Sequence, residues 1–351
     1  MKVAQVCHLF HPYVGGIETH VYEISKRLAK EMDVEVLTTD PGSNLPREEK
    51  IDGVLIRRFK AFAPSNSYYF SYELYAYLKK HSSDYDIVHA HNYHAFPALF
   101  AALTKQKNKL VFTPHYHGGG HSFFRNILHK PYKSLGKKIF EEAEAVVCVS
   151  RYEKKLLLSH FEIEESKISV IPNGVNVKEF RKIKRRRNNK SILYVGRIEK
   201  YKGVEHVVKA LKYLPEYRLE IVGEGSYKRK IIKLARKIGV LSRINFCGKI
   251  SGKELIRKYA EAGILVLLSK HEAYGLAIAE ALAAGIPCIV SATSALDEWV
   301  DNEKVFSAGY PINIEKLVNL VVRLSKIKIN KVALLSWEGV SRRIIKIYNN
   351  L

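Results

Sequence analysis

The sequence is poor in the residues that mark secreted or membrane-spanning proteins. Its four cysteines form no Cys-x-x-Cys pair, and each lies in an apolar, strand-like run. We therefore expect reduced, buried thiols at Cys7, Cys148, Cys247 and Cys288. No apolar run approaches the roughly 20 residues of a membrane span. Residues 1–6 read as a core strand rather than a signal peptide, so we expect a cytoplasmic protein.

Glutamine is also scarce, because Gln5 and Gln106 are the only two in the chain. Lysine, arginine, glutamate and isoleucine are abundant. This composition is typical of thermophilic proteins. An AT-rich genome would also favour lysine and isoleucine, so both explanations stay open.

Acidic residues are in deficit, and most of that deficit falls in the second half of the chain. The 58 Lys and Arg outnumber the 35 Asp and Glu, which gives a net charge of +23. Residues 1–175 hold 23 against 19, a net of +4, and residues 176–351 hold 35 against 16, a net of +19. Such an excess often indicates nucleic-acid binding. The sequence contains no helix-turn-helix, zinc finger or aromatic-rich binding strand, so an anionic membrane surface or a phosphorylated acceptor explains the charge as well.

A chain of 351 residues predicts two domains of about 170 residues each. Short β-rich runs alternate with helical periodicities such as those of Glu18–Glu31 and Val204–Leu211, which indicates βα units and parallel sheets. The basic segment 181–190 separates two halves of this pattern. The predicted strands are Val3–Leu9, Val34–Thr38, Val54–Arg58, Ile87–His91, Lys109–Thr113, Ala145–Val149, Ile168–Ile171, Ser191–Val195, Leu219–Val222, Ile244–Cys247, Ile264–Leu268 and Pro287–Val290.

The most informative stretch is 271–280, where Glu272 and Glu280 flank a glycine turn and the start of a helix. At 3.6 residues per turn, Glu280 lies on roughly the same side as the mouth of that helix. The free backbone N–H groups at a helix N-terminus attract anions. Tyr274-Gly275-Leu276 and the two carboxylates therefore suit a nucleotide-diphosphate sugar.

Further candidate residues follow predicted strands. Gly15-Gly16 enters the first helix, where glycine permits left-handed backbone angles and the close approach of a ligand. Gly196-Arg197 and Lys202 supply an arginine fork and a point charge that suit a diphosphate. Gly223-Glu224-Gly225 lacks the third glycine of a dinucleotide motif, which argues against a nicotinamide cofactor.

Histidines are frequent around the predicted strands Ile87–His91 and Lys109–Thr113. His115 follows the second strand on the side where open α/β sheets bind ligands, although His117 is close enough to take its place. A zinc site is not expected, because no two of these histidines are spaced four apart on a helix and no cysteine or acid joins them. Asp84-Tyr85-Asp86 matches a metal-binding signature, and we interpret it as a chance match before a strand. The other histidines of this region are His89, His91, His94 and His121.

Six spaced features together resemble the retaining glycosyltransferases of family 4, which have the GT-B fold. They are Pro12-Tyr13-Val14-Gly15-Gly16-Ile17-Glu18, Thr113-Pro114-His115, Ile171-Pro172-Asn173-Gly174-Val175-Asn176, Val195-Gly196-Arg197-Ile198 with Lys202-Gly203, Ile221-Val222-Gly223-Glu224-Gly225, and Glu272 to Glu280. The resemblance implies two Rossmann-like α/β domains that face each other across a cleft. It places an acceptor-side domain at 1–174, a donor-side domain at 175–334 and a helix at 335–351 that crosses back to the first domain.

The same resemblance implies transfer of a sugar, with retention and without a metal or cofactor, from a nucleotide-diphosphate sugar to a hydroxyl acceptor. Arg197 and Lys202 would stabilise the departing diphosphate, Glu272 would orient sugar hydroxyls, and Glu280 would hold the ribose. His115 would support the reacting sugar. The acceptor can be a glycan, a lipid-linked molecule or a small molecule. The remaining donor-binding positions are Gly15, Gly16, Gly196, Gly223, Glu224, Tyr274, Gly275 and Leu276.

Two other functions stay open at this point. A nucleotide-sugar epimerase of the same fold would use the same donor without forming an acceptor-dependent product. A non-catalytic basic protein that binds nucleotide sugars or nucleic acid would also fit the charge. The sequence does not fix the sugar, the base, the acceptor or the oligomeric state.

Overall fold

The chain folds into two compact α/β units. The computed structural model describes residues 1–64, 68–118, 135–182 and 190–351. The first unit comprises Met1–Gly174 and Trp337–Leu351, and the second comprises Val175–Ser336. The candidate residue His121 and the basic run at 185–187 lie outside the described residues.

The first unit is built on an eight-stranded sheet in the order β3-β4-β2-β1-β5-β6-β7-β8. All neighbouring strands are parallel except β3 and β4, which are antiparallel. Its strands are β1 Lys2–Val6, β2 Asp33–Asp40, β3 Glu48–Ile51, β4 Val54–Lys60, β5 Ile87–His91, β6 Lys109–Thr113, β7 Ala145–Cys148 and β8 Ile168–Val170. The helices that precede residue 174 are α1 Gly16–Leu28, α2 Tyr72–His81, α3 Phe96–Leu103, α4 over 135–142, and α5 Arg151–His160.

The second unit is built on a six-stranded, fully parallel sheet in the order β11-β10-β9-β12-β13-β14. Its strands are β9 Ser191–Val195, β10 Arg218–Val222, β11 Ile244–Gly248, β12 Ile264–Leu267, β13 Cys288–Val290 and β14 Val305–Ser307. Its helices are α6 Val177–Arg181, α7 Val204–Leu211, α8 Lys228–Lys237, α9 Gly252–Glu261, α10 Leu276–Ala283 and α11 Ile314–Leu324.

The last helix, α12 (Trp337–Asn349), belongs to the first unit although it follows the second in sequence. It packs against α1, and Arg27 on α1 forms a 2.9 Å ion pair with Glu338. Trp337 is buried at its start, and the Tyr348 hydroxyl bonds to Gln5 on β1 and His89 on β5. One face of this helix therefore packs into the interior of the first unit.

The predicted alternation of strands and helices and the parallel sheets are confirmed. The pattern missed β3 because its sequence, Glu-Glu-Lys-Ile, is charged, as a strand at the exposed edge of a sheet can be. It also missed β14, which has only three residues. Cys7, Cys148 and Cys288 are buried, but the prediction for Cys247 was wrong because edge strand β11 leaves it partly exposed. Within the described ranges, no helix has both the length and the hydropathy needed to cross a membrane.

Candidate functional site

In the second unit, the predicted donor-binding residues follow three neighbouring strands. The sheet places β9 between β10 and β12, and all three run in the same direction. Their carboxyl ends therefore lie at one edge, which is where open parallel sheets bind ligands. The loops that begin at Gly196, Gly223 and Ser269 are brought together there.

The loops after β9 and β10 touch through their backbones. The N–H of Gly196 donates to the Val222 carbonyl at 3.0 Å, and the N–H of Ile198 donates to the Glu224 carbonyl at 2.9 Å. Gly223 has a φ of +131°, and a Cβ there would lie 2.1 Å from the Gly196 carbonyl oxygen. Glycine is therefore required at 223 both for backbone angle and for contact.

Lys202 and Glu272, which are 70 positions apart, form an ion pair. The Lys202 Nζ lies 2.5 Å from Glu272 Oε1, and the two side chains are 12% and 16% exposed. The turn that carries Lys202 ends at Gly203, whose φ is +70° and whose Cβ would meet the Leu268 carbonyl oxygen at 2.2 Å. The same backbone contact that requires this glycine thus holds Lys202 beside the end of β12. Pairing in a half-buried position fixes both charged groups.

Arg197 is held differently. Its side chain is exposed, and Nη2 donates to the Tyr201 hydroxyl at 2.8 Å. The Tyr194 hydroxyl donates to the Arg197 carbonyl at 2.7 Å, which fixes the backbone of the loop. The guanidinium therefore reaches solvent from an anchored backbone, which suits it to bind an anion from outside.

The turn before α10 is shaped by Gly275, Tyr274 and Trp299. Gly275 has a φ of +98° and directly precedes the helix, which has no side-chain cap. The Trp299 indole donates to the Tyr274 carbonyl at 2.7 Å, and the two rings meet edge to face with centroids 5.2 Å apart. This packing presents the N-terminus of α10, which carries a partial positive charge, next to the loop of Glu272.

The two remaining glutamates are each held by a neighbour. Glu280 on α10 is partly exposed, and its Oε2 accepts a 2.7 Å hydrogen bond from the Tyr259 hydroxyl. Glu224 forms a 2.9 Å ion pair with Lys228, four residues further on. Both carboxylates are thus oriented by a neighbouring side chain.

The geometry of Gly15-Gly16 corrects the expectation for this loop. Neither glycine has a positive φ, and Gly15 is fully extended with a φ of −170°. The close neighbour of Gly15 is the Glu18 side chain, because a Cβ at 15 would lie 2.3 Å from Glu18 Oε2 and would displace that carboxylate. Glu18 in turn lies 3.4 Å from His8 Nε2. Left-handed backbone angles therefore do not explain this pair of glycines.

His115 is buried in the first unit rather than open to solvent. Its ring packs edge to face on His20, with centroids 5.0 Å apart, and stacks on His91 at 6.1 Å. Burial lowers the pKa of His20 to about 4 and holds the pKa of His91 and His115 well below the usual value, so all three rings are neutral at physiological pH. His117 is less buried and stacks on His94, with centroids 4.4 Å apart.

Helix α5 positions the segment that carries these histidines. Ser150 caps the helix by accepting from the Glu153 N–H at 3.0 Å. The Glu153 carboxylate accepts from the Val149 N–H at 2.6 Å and from the N–H of Tyr116, between the two histidines, at 2.5 Å. Burial raises the pKa of Glu153 to about 8, and these two N–H groups oppose that shift.

Sequence reasoning missed His20, which no local motif marks, and it missed the contact of His20 with Asn173, because the two residues lie 153 positions apart in the chain. His20 Nδ1 lies 2.7 Å from Asn173 Oδ1.

The two aspartates of the Asp84-Tyr85-Asp86 motif each contact a different part of the first unit. Asp84 Oδ2 lies 2.8 Å from His81 Nδ1, and Asp86 Oδ2 accepts from the Lys2 N–H at 2.6 Å.

Comparison with known proteins assigns this architecture to a family. Residues 14–179 match Glycosyltransferase Family 4, and residues 176–333 match Glycosyl transferases group 1. The chain belongs to the GT-B glycosyltransferases of family 4. As a group 1 enzyme, this glycosyltransferase transfers a sugar from a nucleotide sugar.

Three relatives illustrate the range of the family. The glycosyltransferase is 26% identical to the uncharacterized glycosyltransferase MJ1607 of Methanocaldococcus jannaschii, over 99% of this chain and 98% of that protein. It is 28% identical to a GDP-mannose:cellobiosyl-diphosphopolyprenol alpha-mannosyltransferase of Xanthomonas campestris, over 83% of this chain and 78% of the relative. The structure of Anabaena Alr3699/HepE with UDP-glucose shares its fold, with a TM-score of 0.81, 15% identity and full coverage of both chains.

Proposed function

We propose that this glycosyltransferase acts with retention of anomeric configuration and without a metal, on a nucleotide-diphosphate sugar and a hydroxyl acceptor. The observation that carries the proposal is the Lys202–Glu272 ion pair, 2.5 Å long, at the edge shared by β9 and β12. The pair joins Lys202, whose positive charge can stabilise the leaving diphosphate, to Glu272, whose carboxylate can accept hydrogen bonds from sugar hydroxyls. The N-terminus of α10 follows within a few residues and adds further positive potential.

The chemistry is a front-face substitution at the anomeric carbon. The bond from that carbon to the diphosphate oxygen breaks, and its electron pair leaves with the diphosphate. The acceptor oxygen bonds to the same face, and its proton passes to the departing diphosphate oxygen. Lys202 and Arg197 stabilise the negative charge as it develops, which is the electrostatic contribution that a metal supplies in other enzymes.

The neighbouring residues orient the donor. Glu272 accepts hydrogen bonds from sugar hydroxyls, and Glu280 accepts them from the ribose, an orientation maintained by the Tyr259 hydroxyl. The backbone at Tyr274-Gly275-Leu276 meets the diphosphate. The close backbone contact of Gly196 with Gly223, followed by Glu224, forms the base-side wall of this site. In the first unit, Gly15 and Gly16 are the remaining donor-binding positions.

The histidine that supports the reacting sugar is His115 or His117, and the burial of the rings favours His117. His115 is 7% exposed and packs on two other histidines, whereas His117 is partly exposed. We propose His117→Ala as the variant with the larger loss of turnover. A larger loss in His115→Ala, with an unchanged unfolding temperature, would restore His115 to this role.

The acceptor is proposed to be lipid-linked, with the enzyme at an anionic membrane surface. The Xanthomonas campestris relative is named for a diphosphopolyprenol acceptor. The net charge of +19 over residues 176–351 exceeds what one diphosphate requires. Reversible attraction to anionic lipid would bring the enzyme to such an acceptor.

Donor screening tests the proposal directly. The unfolding temperature of the purified chain is measured with UDP-, GDP- and ADP-sugars, and the stabilising donor is then incubated with polyprenol-linked and soluble acceptors. The proton NMR coupling of the product gives the anomeric configuration, and EDTA in the assay tests for a catalytic metal. We expect retention and full activity in EDTA. An inverted product or an absolute need for Mg²⁺ would contradict the proposal, and an acceptor-independent isomer would favour the epimerase.

A further inference from the structure

Three histidine rings from three elements meet in the interior of the first unit. His20 lies on α1, His91 ends β5, and His115 follows β6. One ring nitrogen of each lies within 4.8 Å of a ring nitrogen of both others. The residues are 1%, 0% and 7% exposed, so all three rings are shielded from bulk water.

Each ring carries one buried nitrogen that makes no hydrogen bond with any described residue. These atoms are His20 Nε2, His91 Nδ1 and His115 Nε2. A buried polar atom without a partner costs about 1–3 kcal/mol, so three in one cluster are unusual for a native interior. A ligand that accepts lone pairs from all three atoms would remove that cost.

In His20 and His91, hydrogen bonds at the opposite nitrogens fix where the lone pairs lie. His20 Nδ1 lies 2.7 Å from Asn173 Oδ1, and because an amide oxygen only accepts, Nδ1 carries the proton. His91 Nε2 is likewise 2.8 Å from Gln5 Oε1. The free nitrogens, His20 Nε2 and His91 Nδ1, are therefore unprotonated acceptors.

The orientation of Gln5 is itself enforced. Its Nε2 donates at 3.0 Å to the Tyr348 hydroxyl on α12, and that hydroxyl lies 2.6 Å from His89 Nδ1. The second nitrogen of His89 is 2.8 Å from Thr113 Oγ1. Amide groups that set the tautomer and direction of the His20 and His91 rings are the arrangement found behind metal-binding histidines.

We propose that His20, His91 and His115 together bind one divalent transition-metal ion, with Zn²⁺ as the ion that fits best. Neutral imidazole nitrogens suit zinc, and three of them leave a fourth tetrahedral position for water. Three nitrogens at most 4.8 Å apart lie no more than about 2.8 Å from a common centre, against the usual 2.0–2.1 Å of a Zn–N bond. A movement of each ring by about 0.7 Å closes the site.

This ion is structural rather than part of the transfer chemistry. It links α1, β5 and the segment after β6, and behind its ligands Asn173 and α12 complete the enclosure. It engages the free nitrogen of His115 and leaves His117 to meet the donor. Its failure would not affect the proposal for transfer, which rests on residues of the second unit and on His117.

Cobalt binding tests the site in the full chain. The purified protein is stripped with a chelator under mildly denaturing conditions, refolded and titrated with Co²⁺, whose visible absorption reports a four-coordinate nitrogen site. We expect saturation at one equivalent, displacement by Zn²⁺ and a higher unfolding temperature with either ion. Metal analysis of untreated protein should give close to one zinc per chain. Untreated protein without bound zinc, together with stripped and refolded protein that binds no stoichiometric Co²⁺, would overturn the proposal.

Substitutions locate the site. His20→Phe and His91→Phe keep a ring of similar size without a ligand atom, and both should abolish Co²⁺ absorption and the metal-dependent rise in unfolding temperature. Asn173→Ala should weaken Co²⁺ binding about 10- to 100-fold, since it removes only the orienting acceptor. His81→Phe, at the exposed end of α2, is the matched control and should bind normally. Unchanged binding in His20→Phe and Asn173→Ala would also overturn the assignment.

Discussion

The two units use polar side chains in opposite ways. In the first, neutral groups such as Gln5, His89 and Tyr348 are buried and hydrogen-bonded to one another. In the second, charged groups such as Lys202 and Glu272 lie half-buried at the carboxyl edge of the sheet. The same type of α/β fold thus carries a buried polar network in the first unit. In the second unit it carries a rim, by which we mean the polar residues at the carboxyl edge of the sheet.

The difference follows from the cost of burying charge. A neutral imidazole or amide is tolerated in the interior once each polar atom has a partner, whereas an isolated charge is not. Charged side chains in the rim stay close to water, where a ligand can take the place of one partner in an ion pair. We therefore expect substitutions in the rim to change activity and substitutions in the interior to change stability.

The largest expected effect is that of Lys202→Ala. Loss of the ammonium group removes stabilisation of the departing diphosphate and leaves Glu272 as an unpaired negative charge beside it. We expect kcat/KM to fall about 100- to 1,000-fold, as when one donor is removed from an electrostatic site. The free energy of unfolding should fall by about 1–2 kcal/mol, less than for a fully buried pair, because the two side chains are 12% and 16% exposed and water can reach Glu272 once the lysine is removed.

Lys200→Ala is the control for this experiment, since Lys200 is exposed in the same turn. It should retain wild-type kinetics. The double variant Lys202→Ala, Glu272→Gln tests the pairing itself, and its loss should be smaller than the product of the two single losses. Fully multiplicative losses would mean that the two residues act independently and that the ion pair has no role in donor binding.

Gln5→Leu is the corresponding change in the interior. It leaves the His91 Nε2 proton without its acceptor and removes the bond to Tyr348. We expect the free energy of unfolding to fall by about 2–4 kcal/mol, measured by chemical denaturation. Turnover per folded molecule at low temperature should be unchanged.

Gln106→Leu is a natural control, because Gln106 is the only other glutamine and its amide donates to the Lys79 carbonyl at an exposed position. It should cost no more than about 0.5 kcal/mol. Equal destabilisation by the two substitutions would remove the contrast between interior and rim.

The rim could be predicted from the sequence because its signals are local. Gly196, Gly223 and Gly275 each follow a recognisable strand or precede a helix, and parallel strands bring such positions to one edge. What local pattern could not supply was the pairing of Lys202 with Glu272, which requires the order β9-β12 within the sheet. Strand order depends on contacts between residues that are far apart in the chain, so a local sequence pattern does not reveal it.

The interior of the first unit was much less predictable. His20 reads as an ordinary position on an amphipathic helix, and Tyr348 as one residue of a terminal helix. Their contacts with β5 and β1 depend on the return of α12 and on sequence separations of up to 343 residues. The expectation of left-handed backbone angles at Gly15 failed for a related reason, since the close neighbour of this glycine is the carboxylate of Glu18, whose position the sequence does not show.

Glu280→Gln should have a smaller effect than Lys202→Ala. The amide retains one oxygen for the Tyr259 hydroxyl, so the side chain keeps its place, but it accepts a ribose hydroxyl less strongly than a carboxylate does. We expect KM for the donor to rise about 10-fold, equivalent to about 1.4 kcal/mol, with kcat nearly unchanged. Steady-state kinetics at varied donor concentration would decide, and a fall in kcat alone would place Glu280 at the reacting sugar instead.

The smallest expected effect concerns the contrast in charge between the two units. Helix α8 has six Lys and Arg among its ten residues and buries Ile231 and Ala235, which leaves a basic face exposed. If this face meets an anionic bilayer, each basic residue contributes roughly 1 kcal/mol, and the contribution decays within a Debye length of about 10 Å at 0.1 M salt.

Lys233→Gln should therefore weaken co-sedimentation with anionic vesicles about fivefold and leave neutral vesicles unaffected. Lys80→Gln, at an exposed lysine on α2 of the less basic first unit, is the matched control and should bind as the native chain does. The Lys233 effect should disappear at 1 M salt, where the Debye length is about 3 Å. Equal recovery of the native chain with anionic and neutral vesicles at low salt would show that the +19 of residues 176–351 serves no membrane, and the acceptor would then be sought among soluble molecules.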